Sequence, residues 1–284
     1  MKQNDPLIKF IDENLPLWKD LDGDTKLLNF AELITYLPLI IRWNIRLSNS
    51  IMNNKIKFDK IADLAQELSD GKCVWRRLSQ KTFMSYRNLP KTLEKRENKK
   101  NKFYGKDLLK NKFNIHHLRL NNEDSNTKIE IFDQEVHFVK QEEDESLFVM
   151  FDNKYHIAYF LDIYSHKDLY KYPELLQTIF ESKFPIPFII TNLPAADPKH
   201  DISNEQIKNL LSSAVNLLFS IEDKVLNKRY AISSLNTTTT AGYTTRTMAV
   251  FEALNNQDKS VSLSSDLRYH NQLFNEFYTL NIRK

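Results

Sequence analysis

Apolar residues fall into distinct regimes along the chain. From Pro6 to about Leu93 they recur at three- and four-residue steps: Leu7, Ile8, Ile11, Leu15 and Leu17, then Leu27, Leu28, Phe30, Leu33, Ile34, Leu37, Ile41, Ile45 and Leu47, then Ile61, Leu64, Ala65 and Leu68. That spacing gathers apolar side chains on one stripe of a helix, so a helical N-terminal layer is predicted. Asp59 is the expected N-cap of its third helix and Gly71 the expected stop, while Pro38 should kink or break the second.

After about residue 113 the period drops to two. Strands are predicted at Ile115 to Leu120, Ile129 to Val139, Leu147 to Phe151 and Tyr155 to Tyr164, with Asp152-Asn153-Lys154 turning the last pair into a hairpin. A small antiparallel sheet is the natural assembly. Beyond it, helices are expected from Pro173 to about Ser182 and from Ser203 to about Asp223, on either side of a stretch carrying Pro185, Pro187, Pro194 and Pro198. A strand at Arg229 to Leu235 and helices near Thr245 to Leu254 and Leu263 to Tyr278 complete the pattern, with no internal repeat. The fold class is α+β: a helical N-terminal domain over residues 1–95, a basic junction over 96–112, and an α+β domain over 113–284 built around the central sheet, its C-terminal part mixed and mainly helical.

Composition narrows the chemistry. The chain has 284 residues, 41% of them hydrophobic, enough for a real core. Its four glycines, Gly23, Gly71, Gly105 and Gly242, are never closer than 34 positions. Phosphate-cradling P-loops, dinucleotide fingerprints and hydrolase nucleophile elbows each need paired glycines, so all three are excluded. The single Cys73 leaves no intramolecular disulfide and no zinc site with two thiolates. Acidic residues interrupt the N-terminus before any signal-like apolar region, and Leu33 to Leu47 is too polar to span a bilayer. A cytoplasmic protein with no membrane partner is expected.

The formal net charge of +3 conceals a sharp asymmetry. Between Arg76 and Lys112 stand thirteen basic and three acidic residues, net +10, whereas Asn121 to Ser146 carries nine acids against Lys128 and Lys140, net −7. Trp75, Phe83, Tyr86, Phe103, Tyr104 and Phe113 lie among the cations, and aromatic rings beside Lys and Arg are what unpaired bases stack on. Arg76, Arg77, Arg87, Lys99, Lys100, Lys102, Tyr104 and Lys106 are the expected nucleic-acid contacts. A solvated cationic arm is the plainer alternative. The acidic block is expected to cover the arm when no RNA is bound.

Five of seven histidines, His116, His117, His137, His156 and His166, crowd into the sheet region. Alternation puts Ile115, His117 and Arg119 on one face, and His156, Ala158, Phe160, Asp162 and Tyr164 on one face of the fourth strand, opposite Ile157, Tyr159, Leu161 and Ile163. Cleavage of RNA by its own 2′-hydroxyl needs a base, an acid and a cation at the phosphate. Histidine suits the first two roles at neutral pH and Arg or Lys the third. His117 or His166 with Arg119, Lys167 and Tyr164 or Tyr170 supply these groups without metal or other cofactor. The alternatives are half-buried structural histidines, or a metal site in which Asp162 or Asp168 joins the histidines, for which no ligand-spaced acidic motif exists. The run Thr237 to Arg246 reads as a polar turn that caps a helix, with phosphate binding by its hydroxyls, the helix N-terminus and Arg246 the alternative.

The segments FNIHHLRL and LFVMFDNKYHIAYFLDIYSHKDLY, within Phe113 to Tyr170, resemble bacterial abortive-infection proteins that stop phage growth and compact RelE-like toxin ribonucleases. The matching positions are His116, His117, Arg119, Asp162, His166 and Lys167. That resemblance implies an endoribonuclease with a toxin-like or antiviral defence role, acting on single-stranded RNA or mRNA, with a homodimer an admissible assembly. The reading from a different class is a non-catalytic nucleic-acid-binding or protein-interaction module.

Overall fold

A computed structural model describes residues 6–14, 21–78, 108–131, 134–140, 145–165, 172–186, 188–191, 219–234, 248 and 251–252. The fold is α+β. Helices α1 (Pro6–Asn14) and α2 (Gly23–Tyr36) lead into strand β1 (Asn44–Leu47), the short helix α3 (Asn49–Met52) and helix α4 (Lys55–Ser69). A 3-10 turn (Trp75–Arg77) closes this region. Helix α5 (Leu108–Phe113) precedes strands β2 (Ile115–Arg119), β3 (Asp124–Ile131), β4 (Gln134–Val139), β5 (Glu145–Asp152) and β6 (Ile157–Ser165). Helix α6 (Tyr172–Glu181) and strands β7 (Phe188–Thr191), β8 (Phe219–Asp223) and β9 (Lys228–Ser234) follow.

The central sheet has the order β1-β6-β5-β2; β3-β4 and β7-β9-β8 form two smaller sheets. β6 pairs antiparallel with β5 and parallel with β1, so the sheet is mixed. The parallel strand overturns the helical reading of Ile45 and Leu47. Pro38 disfavours helical geometry at the residue before it, and α2 accordingly stops at Tyr36 with Leu37 extended. Released from the helix, the chain aligns Asn44 with Ile157 and Leu47 with Phe160.

Other boundaries also moved. Asn54, not Asp59, caps α4, its side chain accepting from the Lys57 N–H at 3.1 Å. Gly71 ends α4 as expected: at φ +75° it allows the Gly71 N–H to reach the Leu68 carbonyl and the Lys72 N–H to reach Glu67. The single strand expected over Ile129 to Val139 is the hairpin β3-β4. Phe219 to Asp223, expected as the end of a helix, is β8, paired with β9. The helix expected from Pro173 to about Ser182 is α6, Tyr172–Glu181. The run Arg96 to Lys102, the threonine run and the helix at Leu263 to Tyr278 lie outside the described residues.

Both sheet faces are buried, which explains why β5 reads as the unbroken apolar run Leu147 to Phe151. One face, with Leu118, Leu147, Val149, Ala158 and Phe160, packs against α1, α2, α4, Trp43, Trp75 and β4. The other, with Ile115, Phe148, Met150, Tyr159 and Leu161, packs against α5, α6 and Ile221 of β8. Among the described residues no helix is long and apolar enough to cross a membrane.

Candidate functional site

The β5-β6 ladder carries a bulge. Val149 opposes Phe160 but Phe148 opposes Asp162, leaving Leu161 as an extra residue. A bulge reverses the alternation beyond it. Ile163 therefore joins Ala158 and Phe160 in one core cluster, whereas Tyr164 packs with Tyr159 and Leu161 on the other side. This corrects the strict alternation read from the sequence, and it brings Tyr164 round to the face occupied by His117.

That face can be built residue by residue. Phe148, fully buried at the centre, has the His117 ring 6.2 Å and the Tyr164 ring 5.7 Å from its own centroid. Two residues nearer the rim, Arg119, Ser146 and Tyr164 form a cross-strand row, Arg119 opposite Ser146 and Ser146 opposite Tyr164. Three of the expected catalytic residues, His117, Arg119 and Tyr164, are thus gathered on one side. His116 points the other way, buried with its ring 5.1 Å from Phe151. His156 sits at φ +52° in the β5-β6 turn, its carbonyl accepting from Asn44, and His137, an exposed side chain on β4, contacts Glu135. His166, Lys167 and Asp168 lie outside the described residues.

Arg119 is buried and hydrogen-bonds through Nη1 to the Val139 carbonyl at 3.1 Å. Burial disfavours its charged form and lowers the guanidinium pKa from its ordinary value.

A second polar group, which alternation alone did not reveal, collects at the bulge. Asp162 is buried and accepts from Ser50 Oγ at 3.0 Å, from Lys57 Nζ and from the Ile163 N–H at 2.8 Å. Lys57 Nζ also lies 3.1 Å from Ser50 Oγ. This is the first contact of a polar seam along α4. Lys60 pairs with Glu145 at the start of β5, Asp63 accepts from Asn122 at 2.6 Å, and Glu67 meets Arg76 and Arg77. Replacing Asp162 by Asn removes the charge that holds Lys57 and Ser50. Asp162→Asn should cost about 1.5–3 kcal/mol, read as a lower urea midpoint at unchanged slope.

The seam ends in the most enclosed cation of the region. Arg77 is 0% exposed. Its Nε donates to Glu67 Oε2 at 2.7 Å, its Nη2 to Glu67 Oε1 at 2.8 Å and Asn122 Oδ1 at 2.7 Å, and its Nη1 to the Arg119 and Asn121 carbonyls at 3.0 Å each. Its donors are occupied, so Arg77 leaves the set expected to face RNA. Arg76 pairs with Glu67 at 2.9 Å and with Asp124 at 3.0 Å, a contact between the basic and acidic blocks. Trp75 and Phe113, read as stacking platforms, are core residues, and Trp75 Nε1 donates to the Pro38 carbonyl at 2.8 Å. Arg87, Lys99, Lys100, Lys102, Tyr104 and Lys106 lie outside the described residues.

Burial pushes the Glu67 carboxyl upward, but hydrogen bonds and charge from Arg77 and Arg76 outweigh it and hold the pKa below the ordinary value. A lowered carboxylate stabilises the fold above its unfolded-state pKa of about 4.3, and that stabilisation disappears as pH falls through the lowered folded value. Unfolding free energy should therefore decline on acidification below about pH 4.3, and Glu67→Gln should flatten that limb of a pH-urea series. Cys73 is inert by the same physics, its thiol pushed up to about 11 by burial.

Among the described residues no group of three His, Cys, Asp or Glu side chains is placed to hold a metal ion. Compared with protein-family models, curated proteins and solved structures, the chain matches none.

Proposed function

We propose that the protein is a cytoplasmic, metal-independent endoribonuclease with a toxin-like or phage-defence role. The observation that carries this reading is the β6 bulge, which turns Tyr164 onto the face of His117 and into a row with Arg119. These are the residue types that 2′-hydroxyl attack requires. His117 takes the 2′ proton, the 2′ oxygen forms its bond to phosphorus, and the P–O5′ bond breaks. His166 returns a proton to the departing 5′ oxygen. Arg119, with Lys167, balances charge on the pentacoordinate phosphate, and Tyr164 orients it. Arg87, Lys99, Lys100, Lys102, Tyr104 and Lys106 hold the RNA strand, making binding strongly salt-dependent.

The test is incubation of purified protein with labelled single-stranded RNA, with and without EDTA, beside His117→Ala and His166→Ala. Cleavage that persists in EDTA and disappears in both variants is expected. Cleavage abolished by EDTA contradicts the metal-free chemistry. The second reading, a non-catalytic RNA-binding module, draws on the packing of the His116 ring against Phe151 and of the His117 ring against Phe148. Binding without cleavage would establish it.

A further inference from the structure

Buried guanidinium groups are ordinarily paired with carboxylates, because an isolated charge loses its hydration without compensation. Arg119 departs from that rule. It is 6% exposed, yet among the described residues it forms no ion pair and a single hydrogen bond, to the Val139 carbonyl. A guanidinium carries five N–H donors, so among the described residues most of its donor capacity is unused. Directly across the ladder lies Ser146, 2% exposed, whose hydroxyl has no hydrogen-bond partner among the described residues. Opposed residues on an antiparallel pair share a face with Cβ atoms about 5 Å apart. Both stand at strand ends, Arg119 as the last residue of β2 and Ser146 as the second of β5. The nearest carboxylate along β5, Glu145, belongs to the opposite face by alternation and is paired with Lys60.

We propose that Arg119 and Ser146 form a phosphate-binding site at the rim of the central sheet, one that seats the scissile phosphodiester of RNA. Its use on RNA rests on the function proposed above; the anion site itself does not. An anion supplies the missing counter-charge to Arg119, and a planar donor fork matches two phosphate oxygens. Ser146 donates to a third oxygen. Its position between Arg119 and Tyr164 holds the phosphate beside His117, the group that removes the 2′ proton.

The full-length protein is titrated with inorganic phosphate at constant ionic strength, followed by calorimetry and by thermal unfolding, with acetate as the control anion. Saturable phosphate binding with a raised melting temperature is expected, since a ligand that binds only the native state stabilises it. Ser146→Ala should weaken phosphate binding about tenfold, the worth of one charge-assisted hydrogen bond, and Arg119→Gln should abolish it. Arg119→Lys, which keeps the charge but loses the fork, covers the case in which Arg119→Gln does not fold, and should weaken binding at least as much as Ser146→Ala. Absence of saturable binding by the wild type, or wild-type affinity retained in both Ser146→Ala and Arg119→Lys, overturns the proposal. Phosphate binding without RNA cleavage by the same preparation upholds the site and contradicts the endoribonuclease; cleavage without phosphate binding does the reverse.

Discussion

Arg77→Ala should destabilise the protein by about 3–5 kcal/mol, the cost of removing one partner from an enclosed ion pair. At roughly 2–4 °C per kcal/mol for a chain of this order of size, the melting temperature should fall by on the order of 10 °C. Arg77 spans α4 through Glu67, β2 through the Arg119 carbonyl, and the β2-β3 connection through Asn121 and Asn122. Alanine leaves three acceptors empty and Glu67 supported by Arg76 alone. Arg77→Lys keeps the charge without the fork and should fall between wild type and alanine. The pair Glu67→Gln with Arg77→Met removes both buried charges and should recover a large part of the loss. If thermal unfolding instead leaves Arg77→Ala within about 0.5 kcal/mol of wild type, the value usual for surface positions, the enclosed network is wrong and Arg77 returns to the RNA-facing set.

His117→Ala should reduce the cleavage rate by about 10²- to 10⁴-fold with its melting temperature nearly preserved, because a general base contributes that much and a half-buried ring contributes little to packing. Tyr164→Phe keeps the contact with Phe148 and removes only the hydroxyl. It should act mainly on the rate, which separates orientation of the phosphate from packing. His116→Ala is the opposite case. The ring is buried against Phe151 on the other face, so stability should fall and the rate per folded molecule should hold. An equal rate loss in His116→Ala and His117→Ala would show that the two faces are not distinguished and would remove the bulge from the mechanism.

Much of the fold follows from patterning that a single sequence displays. The strand at Ile115, the hairpin closed beyond Asp152, the helix from Tyr172 and the stop at Gly71 all rest on local chemistry: period, turn residues and a position that needs positive φ. The exceptions share a cause. β1 is four residues long, and Ile41 and Ile45 fit a helical step as well as Trp43, Ile45 and Leu47 fit an alternating one; only pairing with β6, more than a hundred positions away, decides it. The bulge at Leu161 has no compositional mark, so the inversion that joins Tyr164 to His117 was invisible to alternation. Ser50 and Lys57 carry no local sequence signal, because their link to Asp162 is likewise long-range. Charge counting placed Arg77 in a cationic arm, since a count does not register that Glu67 lies ten residues earlier on the buried side of α4. Trp75 and Phe113 differ from their sequence reading for the same reason, flanked by lysine and arginine in sequence but enclosed by the core.

The most direct measurement is the chemistry of the ends left on the RNA. A labelled oligonucleotide is cleaved in EDTA, the 3′ terminus of the upstream fragment is identified by mass spectrometry, and a substrate with a single 2′-deoxy nucleotide at the cleavage position is run beside it. Attack by the 2′-hydroxyl, with His117 as base and Arg119 at the phosphate, leaves a 2′,3′-cyclic phosphate and spares the deoxy substrate. A 3′-hydroxyl paired with a 5′-phosphate, or equal cleavage of the deoxy substrate, would contradict it.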